Sequence, residues 1–305
     1  MKALKVKDGR VSFVRCNSPT PSENGVACRP VHLSISYKDI MSLKRDGAIG
    51  TEAIGKIVEV GESVEGVSVG DLVIVPSGCV EGVFAEYFLV ENANESLVKV
   101  PRDTRTDELI PMCHTIPYAF SVVEGAELNF GDNVAIFSNE AEGLFASLAS
   151  KHRGVAELIL LSSHHTILEY APKFGTTNVV STLDCDIKTA LSGKVIDKAI
   201  ILEGDNATLR EALSIVKQGG EIICCDGEID ITRELIENEK GIRIRELEIT
   251  VDKDRVERAM RLLTSNRLMP GEVITHTQSG LDSIESGIEL AKSKPRGYIK
   301  LVINV

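Results

Sequence analysis

No run of about 18 apolar residues occurs in the chain, so no segment is expected to span a bilayer. Dense clusters of Lys and Arg are also missing, and the formal net charge is -11. Nucleic acid and anionic membrane are therefore excluded as expected partners, because both require local positive charge. The opening residues, MKALKVKDGR, alternate apolar and charged side chains where a secretion signal would carry an apolar core. A cytoplasmic location is the expectation. CxxC spacing is absent too: Cys16, Cys28, Cys79, Cys113, Cys185, Cys224 and Cys225 are odd in number and scattered, as expected of reduced thiols that mostly act as small core residues. Internal repeats and low-complexity linkers are lacking as well.

What is present suits a globular protein of more than one domain: 305 residues, 43% of them hydrophobic. The first hundred residues read as short strands broken by glycine turns, in AIGKIVEVG (53–61), VGDLVIVPSG (69–78) and GVFAEYFLV (82–90). Tyr37, within SYKDI (36–40), reads as an ordinary aromatic in a half-buried strand. From about Ile116 the pattern changes to strand, turn and helix: NVAIF (133–137) precedes AEGLFASLASKH, and ELILLSS precedes HHTILEYAPKFG. VIDKAIILEG, ATLREALSIVKQ, GGEIICCDG, a helix after Gly227 and IRELEIT (244–250) continue it. Strands that alternate with helices of this length predict a parallel, doubly wound sheet. Two amphipathic helices, DRVERAMRLLTSN and LDSIESGIELAKS, then flank a short extended stretch at VITHT, and YIKLVINV closes the chain as a strand.

This order, together with SYKDI, GTEAIGKIVEVGESVEGVSVGDLVIV (50–75), GVFAEYFLV, LNFGDNVAIF, KQGGEIICCDG and the closing VITHT and GYIKLVI, resembles the zinc-type alcohol, threonine and polyol dehydrogenases of the medium-chain dehydrogenase/reductase superfamily. The resemblance implies an α/β protein. A β-rich GroES-like catalytic domain (1–115 and 251–305) would be interrupted by a Rossmann-like doubly wound parallel sheet domain (116–250). It also implies hydride transfer between NAD(P) and an alcohol, carbonyl or conjugated alkene in a cleft between the domains. A homodimer or homotetramer is implied by analogy, paired through the IRELEIT edge.

In such enzymes a Cys, a His and a third Cys or Glu hold a zinc that polarises the substrate oxygen. Here the first two positions fall on Ser36 and Thr51, whose neutral hydroxyls are poor zinc ligands, so zinc is not expected. The third falls on Cys113 or His114. A cluster of Glu52, Cys113 and His114 stands as an alternative, against a reading in which Cys113 packs and His114 donates a hydrogen bond. Asp39, which in the family orients the metal-bound His, is otherwise a surface or turn carboxylate. Tyr37 is an alternative proton donor. A structural zinc lobe would need four closely spaced cysteines, and only Cys79 lies between Asp71 and Phe84.

The family's phosphate turn, G-x-G-x-x-G, corresponds to Ser138, Asn139, Glu140, Ala141, Glu142 and Gly143, which keeps only the packing glycine. Glu140 replaces the glycine nearest the diphosphate, and Glu142 adds a second negative charge. A unit charge about 4 Å from a phosphate at an effective dielectric near 20 is repelled by roughly 4 kcal/mol. NAD(P) binding is therefore expected to be weakened. Ser162 stands where the ribose-binding acid should lie and, beside His164 and His165, suits the 2′-phosphate of NADP; those histidines otherwise form a solvated turn, with Ser163 or Thr166 capping the helix. Gly204, Asp226 and Gly227 fall at the carboxyl ends of later strands, where ligands bind in this fold.

Three functions follow. One is a dehydrogenase-like oxidoreductase or zinc-independent quinone- or enoyl-type reductase, in which Tyr37 or Ser36 assists proton transfer. Another is a non-catalytic scaffold or small-molecule binder. The third is a metal enzyme built on Glu52, Cys113 and His114. No substrate is legible.

Overall fold

The computed structural model describes residues 1–101, 104–231, 240–265 and 267–305. The chain forms two units, one made of Met1–Pro117 with Thr250–Val305 and the other of Tyr118–Ile249.

The first unit opens with an antiparallel hairpin, β1 (Lys2–Lys7) and β2 (Arg10–Arg15). Asp8 and Gly9 both have positive φ, the conformation a two-residue hairpin turn demands because its twist then matches the strands. β3 (Val26–Ser34) follows, and β4 (Gly47–Ala48) pairs with β1. β5 (Glu52–Val60) and β6 (Leu72–Val75) pair antiparallel, and β7 (Phe88–Val90) adds to β3. β8 (Val98–Lys99) borders β6. Val26, Cys28, Leu33, Ala53, Ile57, Val73, Val75 and Phe84 fill the core of this unit. The thiol of Cys28 sits in that core, where burial pushes it up to about 12.

The second unit is a six-stranded parallel sheet built from β9 (Asn133–Phe137), β10 (Glu157–Ser162), β11 (Asn178–Ser181), β12 (Ile196–Asp205), β13 (Val216–Glu228) and β14 (Arg243–Glu246). Its order, β11-β10-β9-β12-β13-β14, reverses direction between β9 and β12. In doubly wound sheets that reversal opens the ligand crevice at the carboxyl ends of the strands. The centres of β9, β10, β12 and β13 are continuous apolar runs, VAIF, LILL, AIIL and IICC, as burial on both faces requires. Helices Ala141–His152, His165–Tyr170 and Asn206–Ile215 supply crossovers. The chain then returns to the first unit, where β15 (Ile274–Ser279) and β16 (Lys300–Asn304) extend the large sheet through β3.

Several expected elements differ. SYKDI is not a strand: Tyr37–Ser42 is a helix, with Tyr37 in its first turn. The Ser36 hydroxyl accepts the Asp39 N–H while the Asp39 carboxylate accepts the Ser36 N–H, a reciprocal cap that stabilises helix over strand. GVFAEYFLV is extended as a strand only over Phe88–Val90, and IRELEIT contributes only up to Glu246. The helix expected after Gly227 falls largely on 232–239, outside the described residues.

Phe84 is fully buried, and its ring lies where a side chain at Gly50 would have to go. Phe84→Ala is expected to destabilise the first unit by about 3–5 kcal/mol, read as a fall in the urea midpoint without a change in far-ultraviolet circular dichroism.

Candidate functional site

The residues singled out in the sequence gather into two groups, one in each unit. In the first unit Ser36, Asp39 and Thr51 form a closed hydrogen-bonded triangle. Asp39 accepts from the Ser36 N–H at 2.8 Å, from the Ser36 hydroxyl at 2.8 Å and from the Thr51 hydroxyl at 3.1 Å. Far from being a surface carboxylate, Asp39 is only 2% exposed. Burial raises its carboxyl above the ordinary value, and the hydrogen bonds from Ser36 and Thr51, with the charge of Lys300, oppose that rise.

Glu52 is fully buried and meets Lys300 of β16, whose ammonium lies 3.1 Å from Oε1 and 2.8 Å from Oε2. Cys113 and His114 belong to the same unit. The Cys113 thiol donates to the Ala53 carbonyl at 3.3 Å, and burial pushes it far above the ordinary thiol range. His114 shares a 2.7 Å hydrogen bond between Nδ1 and the Ser77 hydroxyl. Burial, with the positive charges of Lys38 and Lys300, holds its imidazole well below the ordinary value, hence neutral.

A zinc needs deprotonated or neutral donors aimed at one point. Among the described residues no three His, Cys, Asp or Glu side chains are grouped to hold a metal ion, so Glu52, Cys113 and His114 do not form the alternative centre. The chemistry of the set agrees: two hydroxyls are turned to Asp39, one carboxylate is paired to an ammonium, and the thiol is protonated. The donors present do not fit zinc.

The second group surrounds the turn between β9 and helix Ala141–His152. Ser138 donates to the carboxylate of Glu203, at 2.9 Å to Oε1 and 3.1 Å to Oε2, and the Asn139 N–H also donates to Oε1. The Glu140 N–H is taken by the Ser138 hydroxyl at 3.2 Å. Asn139 reaches the other way: its Oδ1 accepts from the Ser162 hydroxyl, the Ser163 N–H and the Ser163 hydroxyl at 2.9, 2.8 and 2.9 Å. Gly143 has no room for a side chain, because a Cβ there would lie 2.6 Å from the Ser138 Cβ. Glu140 itself is the helix N-cap, without a side-chain capping bond. The cap of helix His165–Tyr170 is His164, not Ser163 or Thr166, and it likewise makes no side-chain capping bond. Gly204 follows Glu203 and is registered against Gly227 of β13.

Sequence reasoning passed over Glu203 and Lys300. Both carried a signal: each is a charged residue adjoining an apolar run, AIILEG in one case and YIKLVI in the other. In a buried strand such a charge requires a partner.

A GroES-like β unit and a parallel sheet of Rossmann order define a protein of dehydrogenase architecture. Residues 23–102 match the alcohol dehydrogenase GroES-like domain. The chain is 26% identical to an NADP-dependent isopropanol dehydrogenase of Entamoeba histolytica, over 97% of this chain and 93% of that one. It is 27% identical to the enzyme of the same description from Thermoanaerobacter brockii, over 97% of each. Its fold matches a zinc-dependent alcohol dehydrogenase from Streptococcus pneumonia in the apo form, with a TM-score of 0.86, 24% identity and coverage of 100% of this chain and 98% of that one. Over nearly its whole length the chain is thus similar to zinc-type, medium-chain alcohol dehydrogenases.

Lys300→Met is expected to leave Glu52 buried without its counter-charge and to cost about 3–5 kcal/mol, whereas the double variant Glu52→Leu/Lys300→Met recovers most of that loss in the urea midpoint. A pH dependence also follows from His114. Because its folded-state value lies below the ordinary 6.5, the unfolded chain takes up the proton first as pH falls. Stability is therefore fully present above about 6.5 and declines below it, by up to about 1.4 kcal/mol per pH unit. His32, also held low by burial, acts in the same direction. Thermal midpoints between pH 7.5 and 5.5 should consequently fall less steeply in His114→Gln than in the parent.

Proposed function

We propose that this chain is an alcohol-dehydrogenase-type protein that works without a catalytic zinc and with a weakened dinucleotide site, and that it no longer carries out zinc-dependent oxidation of alcohols. The observation that carries this reading is the self-contained polar network of the first unit: Ser36 and Thr51 donate to Asp39, and Glu52 is bound to Lys300. Zinc in such a centre would supply a Lewis acid for the substrate oxygen. Holding it would require Ser36 and Thr51 to leave Asp39, or Glu52 to exchange the Lys300 ammonium for the metal, and neutral hydroxyls are poor zinc ligands. The remaining capacity is that of a small-molecule binder or scaffold.

A second reading, a zinc-independent NADP(H) reductase, is favoured by the hydroxyls of Ser162 and Ser163 beyond β10, Ser162 standing where a ribose-binding acid would repel a 2′-phosphate. The isopropanol dehydrogenases it resembles are described as NADP-dependent. Against it, the Ser36 hydroxyl is already donating to Asp39, and Tyr37 is half-buried at the start of a helix.

Calorimetric titration of the full chain with NAD, NADH, NADP and NADPH separates these readings. No submicromolar binding is expected; such binding of NADPH would support the reductase. Elemental analysis after purification without chelators should find zinc well below one atom per chain, and added zinc should not produce isopropanol oxidation. A stoichiometric, activity-supporting zinc would overturn the proposal.

A further inference from the structure

We propose that the carboxylate of Glu203 is the resident anion of the turn after β9: it takes the donors that would otherwise meet a dinucleotide diphosphate, and it is the residue that sets this chain's exclusion of the cofactor. This rests on the weakened-site reading and supplies its cause. The sheet brings Glu203 there. β12 lies directly beside β9, with Ile201 registered against Phe137, so Glu203 two residues beyond meets Ser138 and Asn139 just past the end of β9. Ser138 and Asn139 then address both oxygens of the one carboxylate.

Backbone N–H groups in such a turn, at the head of a helix, are what a dinucleotide phosphate uses. In this chain the Asn139 N–H goes to Glu203 and the Glu140 N–H to the Ser138 hydroxyl. The Glu203 carboxylate satisfies the Asn139 N–H and the Ser138 hydroxyl much as a phosphate would, and it is held covalently by the chain, so a diphosphate competes against an intramolecular partner. On its other side the turn is fastened by Asn139 to Ser162 and Ser163, which keeps the donors aimed toward β12. The remaining glycine, Gly143, is occupied by packing: Ser138 and Leu160 side chains fill the space in front of it. Glu140 and Glu142, the acids conspicuous in the sequence, add charge nearby, but the carboxylate seated on the turn comes from a strand 64 residues further along.

The test uses the full chain with Glu203→Ala and Glu203→Gln, each checked for an unchanged circular dichroism spectrum and a cooperative thermal transition, and titrated by calorimetry with NADPH and, separately, with inorganic pyrophosphate. Glu203→Ala is expected to bind both probes at least about tenfold more tightly than the parent. Glu203→Gln, which keeps the shape and loses the charge, should gain less, and Glu140→Gln should gain little. If Glu203→Ala does not fold, the comparison of Glu203→Gln with Glu140→Gln decides. A folded Glu203 variant that binds no more tightly than a weakly binding parent overturns this proposal and leaves the weakened-site reading standing. Submicromolar NADPH binding by the parent overturns both.

Discussion

A carboxylate withdrawn from water must be met by donors or by a cation; the buried Asp39 and Glu52, and the half-buried Glu203, are met from within. Asp39 accepts from the N–H and hydroxyl of Ser36 and from the hydroxyl of Thr51. Glu52 faces Lys300. Glu203 takes the donors of the turn after β9. Each arrangement answers the cost of burying charge, and each occupies groups that a ligand would need. On the proposed reading, stability and the loss of ligand chemistry have the same physical origin: donors turned inward are no longer available outward.

Topology makes the inward solution accessible. The reversal of strand order between β9 and β12 sets their carboxyl ends side by side, and this is the place where doubly wound sheets accept ligands. The neighbouring strand end can supply an acid as readily as it can leave a space. At the corresponding position on β13, Asp226 is registered against Glu203, and Tyr118 is pushed well above the ordinary phenol range, chiefly by burial and further by the nearby Cys225, Asp226 and Glu203. Anionic character therefore extends along the strand ends, an unfavourable field for a diphosphate.

Much of the architecture was legible. NVAIF and ELILLSS read as strands because continuous apolar runs followed by helix-length amphipathic segments have few other solutions, and they form β9 and β10. The misread SYKDI shows what a short segment conceals. Tyr37 reads as a strand residue, but the serine and aspartate three residues apart form a capping pair, a local signal for the start of a helix. Asp39 reads as a surface carboxylate because an isolated acid in a sequence carries no sign of its burial. The partners of Glu52 and Glu203 are separated from related site residues by 248 and 65 positions, and no local pattern announces such pairings.

The sequence by itself determined the class of fold and the residue types at the candidate positions: Ser36 and Thr51 in place of soft ligands, and a phosphate turn reduced to Gly143. These are facts of composition and order, fixed before the chain folds. Which side chains fill the resulting spaces was decided only in three dimensions. Lys300 reaches Glu52 because β16 joins the large sheet through β3, and Glu203 reaches Ser138 because β12 lies beside β9. Hydrogen bonds and ion pairs depend on separations of about 3 Å between atoms, and chain connectivity does not encode such distances until the strands are paired.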